Sequence, residues 1–219
     1  MMHSDVSATA LWLMLLLGAY HGLNPAMGWL FAVALGMQRQ QGSAVARSLV
    51  PIALGHALAV GGLVAIAAIL RFSFPLVVMR SIIAALLVGL GIFSLVRHWH
   101  PRWVRMQVDF RDLTVWSFLM ATAHGAGLMV VPVLLRGSTT QASIAMPGHD
   151  HVHFAQMASP TAAIFATGVH TAGYLAVTGL IAWIVYRKVG LAILRKAWFR
   201  VDVLWAVALI ATGVVTFLM

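Results

Sequence analysis

Six stretches of this chain, 18 to 29 residues long, are nearly free of charge, and that feature limits the fold more than any other. They run over residues 8–36, 48–70, 76–97, 113–135, 160–186 and 201–218. About 20 apolar residues in a helix cross the hydrocarbon core of a bilayer, and lipid admits only backbones that satisfy their own hydrogen bonds. With 62% hydrophobic and 9% charged residues, the chain has too little polar surface for a water-soluble domain of 219 residues. The reading is an all-α, polytopic membrane protein with one membrane domain over residues 1–219. The first apolar run continues past Leu35 without a small-residue cleavage site, so it reads as a retained helix and not a signal peptide.

Basic residues fall between the apolar runs, so the net charge of +9 reports topology and not nucleic-acid binding. With the N-terminus outside, Arg39, Arg47, Arg97, Arg102, Arg105, Arg111, Arg187, Lys188, Arg195, Lys196 and Arg200 lie inside, against Arg71, Arg80 and Arg136 outside. Both termini are then extracytoplasmic. The two halves, residues 8–97 and 113–218, also resemble each other. His21-Gly22 is answered by His124-Gly125, Leu58 to Leu63 (LAVGGL) by Leu175 to Leu180 (LAVTGL), and the Gly89/Phe93 spacing by Gly213/Phe217. Three helices per half force the second half to insert upside down, which predicts two inverted three-helix repeats with a site near the midplane. When the LAV blocks are aligned, His56 and His170 are displaced by three residues, close to one helical turn.

His21, His56, His124 and His170 lie on four different spans, each roughly 8 to 12 residues from a helix end and therefore near mid-membrane. Polar groups at that depth face a protein interior or an aqueous path and are functional candidates. Asn24-Pro25 follows His21 by one turn. Proline lacks the amide donor and disfavours helical geometry in the residue before it, so a break in the first helix, with freed carbonyls near Tyr20 and His21, is expected. Pro132 is a second candidate for such a role in the fourth span. Glycines flank each histidine: Gly18 and Gly22, Gly55, Gly125 and Gly127, Gly168 and Gly173. Small residues let helices approach closely.

The aspartates lie in loops or at helix ends, and glutamate and cysteine are absent, which excludes thiolate sites and mid-membrane carboxylate coupling. The remaining ligands are neutral: imidazole, the Asn24 amide, backbone carbonyls and the thioethers of Met27 and Met129. Such a set suits a divalent or soft transition-metal ion, Ni, Co, Cu or Zn. The loop before the fifth span carries His149, Asp150, His151 and His153, a pattern suited to metal capture outside the membrane.

HGLNP (His21 to Pro25) resembles the HGLEPGH-type motif of the NicO nickel/cobalt transporter family, and GHALAVG (Gly55 to Gly61) resembles its SHT-type histidine motif. A histidine-rich hydrophilic loop is a further likeness, and the architecture resembles the LysE-like superfamily. The resemblance implies a divalent-metal permease of a bacterial-type inner (plasma) membrane with His21 and His56 in the ion path. This chain departs from the motif at its acidic position, Asn24, and at its second histidine, Met27. Other functions fit the same histidines: axial ligation of haem b in electron transfer, or gating of a small organic solute exporter. An enzyme is less expected, since no carboxylate is placed as a general base. The metal, the direction of transport, the coupling ion and any homo-oligomer are left open.

Overall fold

The computed structural model describes residues 8–70, 73–96, 109–139, 159–189 and 194–218, and among them no strand occurs. The helices are α1 (Ala8–Leu23), α2 (Trp29–Arg39), α3 (Gly42–Leu70), α4 (Leu76–Val96), α5 (Phe110–Ala123), α6 (Ala126–Thr139), α7 (Pro160–Ile184) and α8 (Leu194–Leu218). A 3-10 turn, Pro25–Met27, joins α1 to α2, and a π-helical turn, Val185–Val189, extends α7. The all-helical class is as expected. Three helical stretches, 42–70, 77–96 and 160–188, are long and apolar enough to cross a membrane. The bent pair α5 and α6 makes a fourth, and α1 and residues 203–218 are shorter apolar helices.

The surface is the inverse of a soluble bundle. Ile164 (74% exposed) and Phe217 (68%) stand outside with Trp12, Leu16, Ile69 and Val77, while His21, Asn24, His56, Ser117, His170 and Thr178 are buried. The interior is otherwise apolar, and an apolar exterior with the few polar side chains turned inward is what hydrocarbon as solvent favours.

Two helices are broken, each just after a histidine. Pro25 cannot donate, so α1 stops at Leu23 and Asn24 turns extended (φ −71°, ψ 122°), its Oδ1 accepting from Ala26 N–H at 3.0 Å. The Asn24 amide reaches back to the His21 carbonyl at 3.3 Å. Gly28 then takes φ +133°, a value L side chains rarely adopt, and α2 begins. Side chains satisfy the carbonyls this exposes. Trp29 Nε1 donates to Leu23 O at 3.1 Å, Trp116 Nε1 to Ala26 O at 3.2 Å, and the Tyr174 hydroxyl to Met27 O.

Trp29→Phe keeps the ring but strips the Leu23 carbonyl of that donor. We expect a loss of about 0.5–1.5 kcal/mol, the net worth of one part-buried hydrogen bond, measurable as a lowered thermal midpoint in detergent.

The second break falls between α5 and α6, where His124 ends the helix and Gly125 adopts φ +67°, bending the pair by 57°. Pro132, the sequence candidate for this role, lies inside α6.

Three interfaces dominate the bundle: α1 with α7, α3 with α5, and α4 with α8, while α3 also touches α7. Glycines set their closeness. A Cβ on Gly18 would lie 1.9 Å from the His170 carbonyl oxygen, one on Gly55 2.2 Å from that of Thr114, and one on Gly173 2.4 Å from that of Leu15. They also reveal direction. Gly18 and Gly22 face His170 and Tyr174 in the same order, so α1 and α7 run parallel. Gly55 faces Thr114 while Gly127 faces Leu63, so α3 runs parallel to α5 and α6. Gly91 faces Ala206 while Gly213 faces Ala84, so α4 and α8 are antiparallel.

Candidate functional site

Histidines from α1, α3 and α7 meet where these interfaces converge. His21 arrives at the last turn of α1 because the Pro25 break ends the helix there, and the bare backbones of Gly18 and Gly173 draw α1 against α7 and bring in His170. His56 comes from α3, one residue after Gly55 has seated that helix on α5. All three are fully buried. The ring centroids are 5.1 Å apart for His21 and His170, 5.4 Å for His56 and His170, and 5.9 Å for His21 and His56.

Backbone carbonyls fix two of the tautomers. His21 Nδ1 lies 2.6 Å from Leu17 O and His170 Nδ1 lies 3.2 Å from Met14 O. A carbonyl can only accept, so we assign the proton of each ring to Nδ1 and a lone pair to each Nε2. His56 Nε2, 3.3 Å from His170 Nε2, must then be the donor of that pair. Its own Nδ1 becomes a lone pair, and both His56 Nδ1 and His21 Nε2 are buried without a hydrogen-bond partner. Two unengaged imidazole lone pairs inside a membrane bundle are costly for stability. They are also the atoms by which neutral histidine binds a transition metal or takes up a proton. As the rings stand, the lone pairs do not converge on one point: His21 is inclined by 66° to His56 and by 73° to His170. Among the described residues no group of three histidine or acidic side chains is arranged to hold a metal ion.

Of the four candidate histidines, the structure brings three together. His124 is half-buried at the second break, and Trp205 of α8 touches both its ring and that of His21, with centroids 5.6 Å and 4.8 Å away respectively. Trp205 Nε1 also donates to the His124 carbonyl at 3.0 Å, and its ring stacks on Tyr20 at 4.8 Å. Asn24 is buried; its Oδ1 holds the turn, and its Nδ2 has no partner. Met27 and Met129 are buried in the core, and Met27 offers its carbonyl to Tyr174. His149, Asp150, His151 and His153 lie outside the described residues. Of the flanking glycines, Gly168 makes no close approach, with nothing within 4 Å of its added Cβ.

Several residues of the site were not among the sequence candidates. Tyr174 is fully buried, lies face to face with His56 at 3.8 Å and 13°, and bonds to the break in the first span. Thr178 is buried one turn further on, and Ser117 donates to Ile52 O at 2.7 Å. A helical count would have found the α7 pair, since His170, Tyr174 and Thr178 recur at every fourth position. Trp205 gives no such signal, being one aromatic in an apolar helix.

No family model, curated protein or solved structure matches the chain.

Proposed function

We propose that this protein is a membrane permease for a transition-metal ion, and that His21, His56 and His170 hold the ion in transit. One observation carries the reading: three buried imidazoles from three helices of both halves stand at one place, two with Nδ1 fixed by backbone carbonyls so that Nε2 carries the lone pair, unpartnered in His21 and shared with His56 in His170. That is the usual outer shell of a metal-binding histidine. The His56 to His170 separation of 3.3 Å also approximates the edge of a tetrahedron with nitrogens about 2.0–2.1 Å from a zinc-like ion. Sharing an ion further requires the His56 proton to move from Nε2 to Nδ1 and the rings to turn toward a common point.

The same proposal takes the chain as six spans in two inverted three-helix repeats, with both termini outside the cytoplasm of a bacterial-type inner membrane. Alternating spans make the first and fifth parallel, the second and fourth parallel, and the third and sixth antiparallel, which are the directions the glycine contacts give. Exchange of the two halves carries the α1–α7 interface into the α3–α5 interface and returns α4–α8 to itself. Both first helices of the repeats break beside a histidine, and broken helices near the midplane are where transporter sites are built. The likeness of HGLNP to the NicO motif supports the same class. Haem fits less well, because a macrocycle would have to enter between rings already in contact.

Proteoliposomes loaded with a metal-sensitive dye test the reading. Ni, Co, Zn and Cu(I) are offered in turn, and at least one enters faster than into protein-free liposomes. Background rates for all four would refute the permease.

A further inference from the structure

We infer that Tyr174 is a positioning residue that holds His56 in its resting orientation and ties that orientation to the break in the first span. The inference rests on the metal reading above and goes beyond it by assigning how the site is kept from closing on an ion. Tyr174 touches both parts. Its ring covers the face of His56 at 3.8 Å, nearly parallel at 13°, and its hydroxyl donates to the carbonyl of Met27 in the 3-10 turn after Pro25. It lies one turn beyond His170 on α7, and the bare backbone of Gly22 on α1 lets it in: a Cβ there would be 2.6 Å from the Tyr174 carbonyl oxygen. The Met27 carbonyl is offered to a side chain because the helix is interrupted at this point.

The consequence for the histidines is geometric. Beneath Tyr174, His56 is held within 14° of the plane of His170, and its Nε2 proton is committed to His170 Nε2. An ion held by the Nε2 atoms of all three rings requires the His56 proton to pass from Nε2 to that ring's own bare Nδ1, and the His56 ring to tilt toward His21. The stacked phenol opposes the tilt, and the phenol is itself anchored to the turn between α1 and α2. Movement of that turn releases Tyr174 and frees His56 to bind, and ion binding in turn favours the moved turn. The Tyr174 to Met27 bond therefore belongs to the resting arrangement alone, and removing it raises the fraction of molecules able to bind.

Tyr174→Phe keeps the stacked ring and deletes the bond. Isothermal titration with Ni²⁺ and Zn²⁺ is done on the full chain in nanodiscs, with His149, His151 and His153 replaced by alanine in both proteins so that the loop adds no binding. We expect a lower thermal midpoint together with a Kd about tenfold tighter, equivalent to about 1.4 kcal/mol, the size of one hydrogen bond. A merely structural tyrosine gives the opposite sign, weaker binding with lower stability, and that result or an unchanged Kd overturns the positioning role alone. Binding by neither protein overturns the metal reading and this role with it. A second measurement needs no variant: amide hydrogen exchange across Leu23 to Trp29 in the Tyr174 protein should quicken when Ni²⁺ is added, and slower or unchanged exchange overturns the release.

Discussion

His21→Leu abolishes metal uptake while leaving the protein folded. His21 contributes an Nε2 lone pair that is buried and has no hydrogen-bond partner, so an apolar side chain of similar volume removes an electrostatic liability and opens little space. Replacing a poorly satisfied polar group by an apolar one of like shape is close to neutral, and we expect the thermal midpoint in detergent to move by less than the equivalent of about 1 kcal/mol. Function responds differently. Losing an outer-shell partner of a metal ligand already costs about 10–100-fold in affinity, so loss of the ligand itself should weaken binding by about 100-fold or more and bring uptake to the liposome background. His170→Leu should lose uptake in the same way but cost more stability, because both of its ring nitrogens are engaged, Nδ1 by Met14 O and Nε2 by His56 Nε2. His124→Ala is the contrast: its ring is half-buried at the second break and packs on Trp205, so it should change affinity by less than about threefold. Equal effects at His124 and His21 would place the ion elsewhere.

Gly18→Ala damages both stability and transport through a single methyl group. Its Cβ would sit 1.9 Å from the His170 carbonyl oxygen, a backbone atom that cannot step aside, so α1 and α7 must separate. Overpacking of this kind costs about 1–3 kcal/mol and sometimes more, and we expect about 3 kcal/mol after the better helix propensity of alanine is offset. The separation also draws His21 away from His170, so uptake should fall even in the fraction that remains folded. Gly168→Ala, two residues before the same histidine, is the control. Nothing lies within 4 Å of its added Cβ, and alanine in a helix is favoured over glycine by about 1 kcal/mol, so the thermal midpoint should hold or rise. Thermal unfolding of the pair in one detergent decides the matter, and equal midpoints would contradict the α1–α7 contact.

Much of the site was legible because its causes are local. Asn24-Pro25 announces the first break, since a missing amide donor acts wherever the helix is placed. The second break was less legible. Pro132 carries the stronger local signal, yet α6 runs through it and the chain bends at His124-Gly125, where glycine can take φ +67°. The freed carbonyls also fall slightly later than expected: the Asn24 amide takes that of His21, and side chains take those of Leu23, Ala26 and Met27. Glycine pairing shows the same limit. Gly89 and Gly213 match in sequence, but Gly89 faces open space, and Gly91 makes the contact with Ala206 that mirrors Gly213 on Ala84.

The sequence by itself determined that the chain is helical and apolar outside, that the first span breaks after His21, and that the polar groups at mid-span depth are neutral histidines and not carboxylates. Hydropathy, proline chemistry and composition act residue by residue and need no partner. Which histidines meet was decided only by tertiary structure. His21, His56 and His170 converge while His124 packs on Trp205, and Tyr174 lies across His56, because the backbones of α1 and α7 touch at Gly18 and Gly173 and α3 touches α5 at Gly55. Helix period places each side chain on a face, but the rotation and depth at which two helices lock depend on close contacts between residues more than a hundred positions apart.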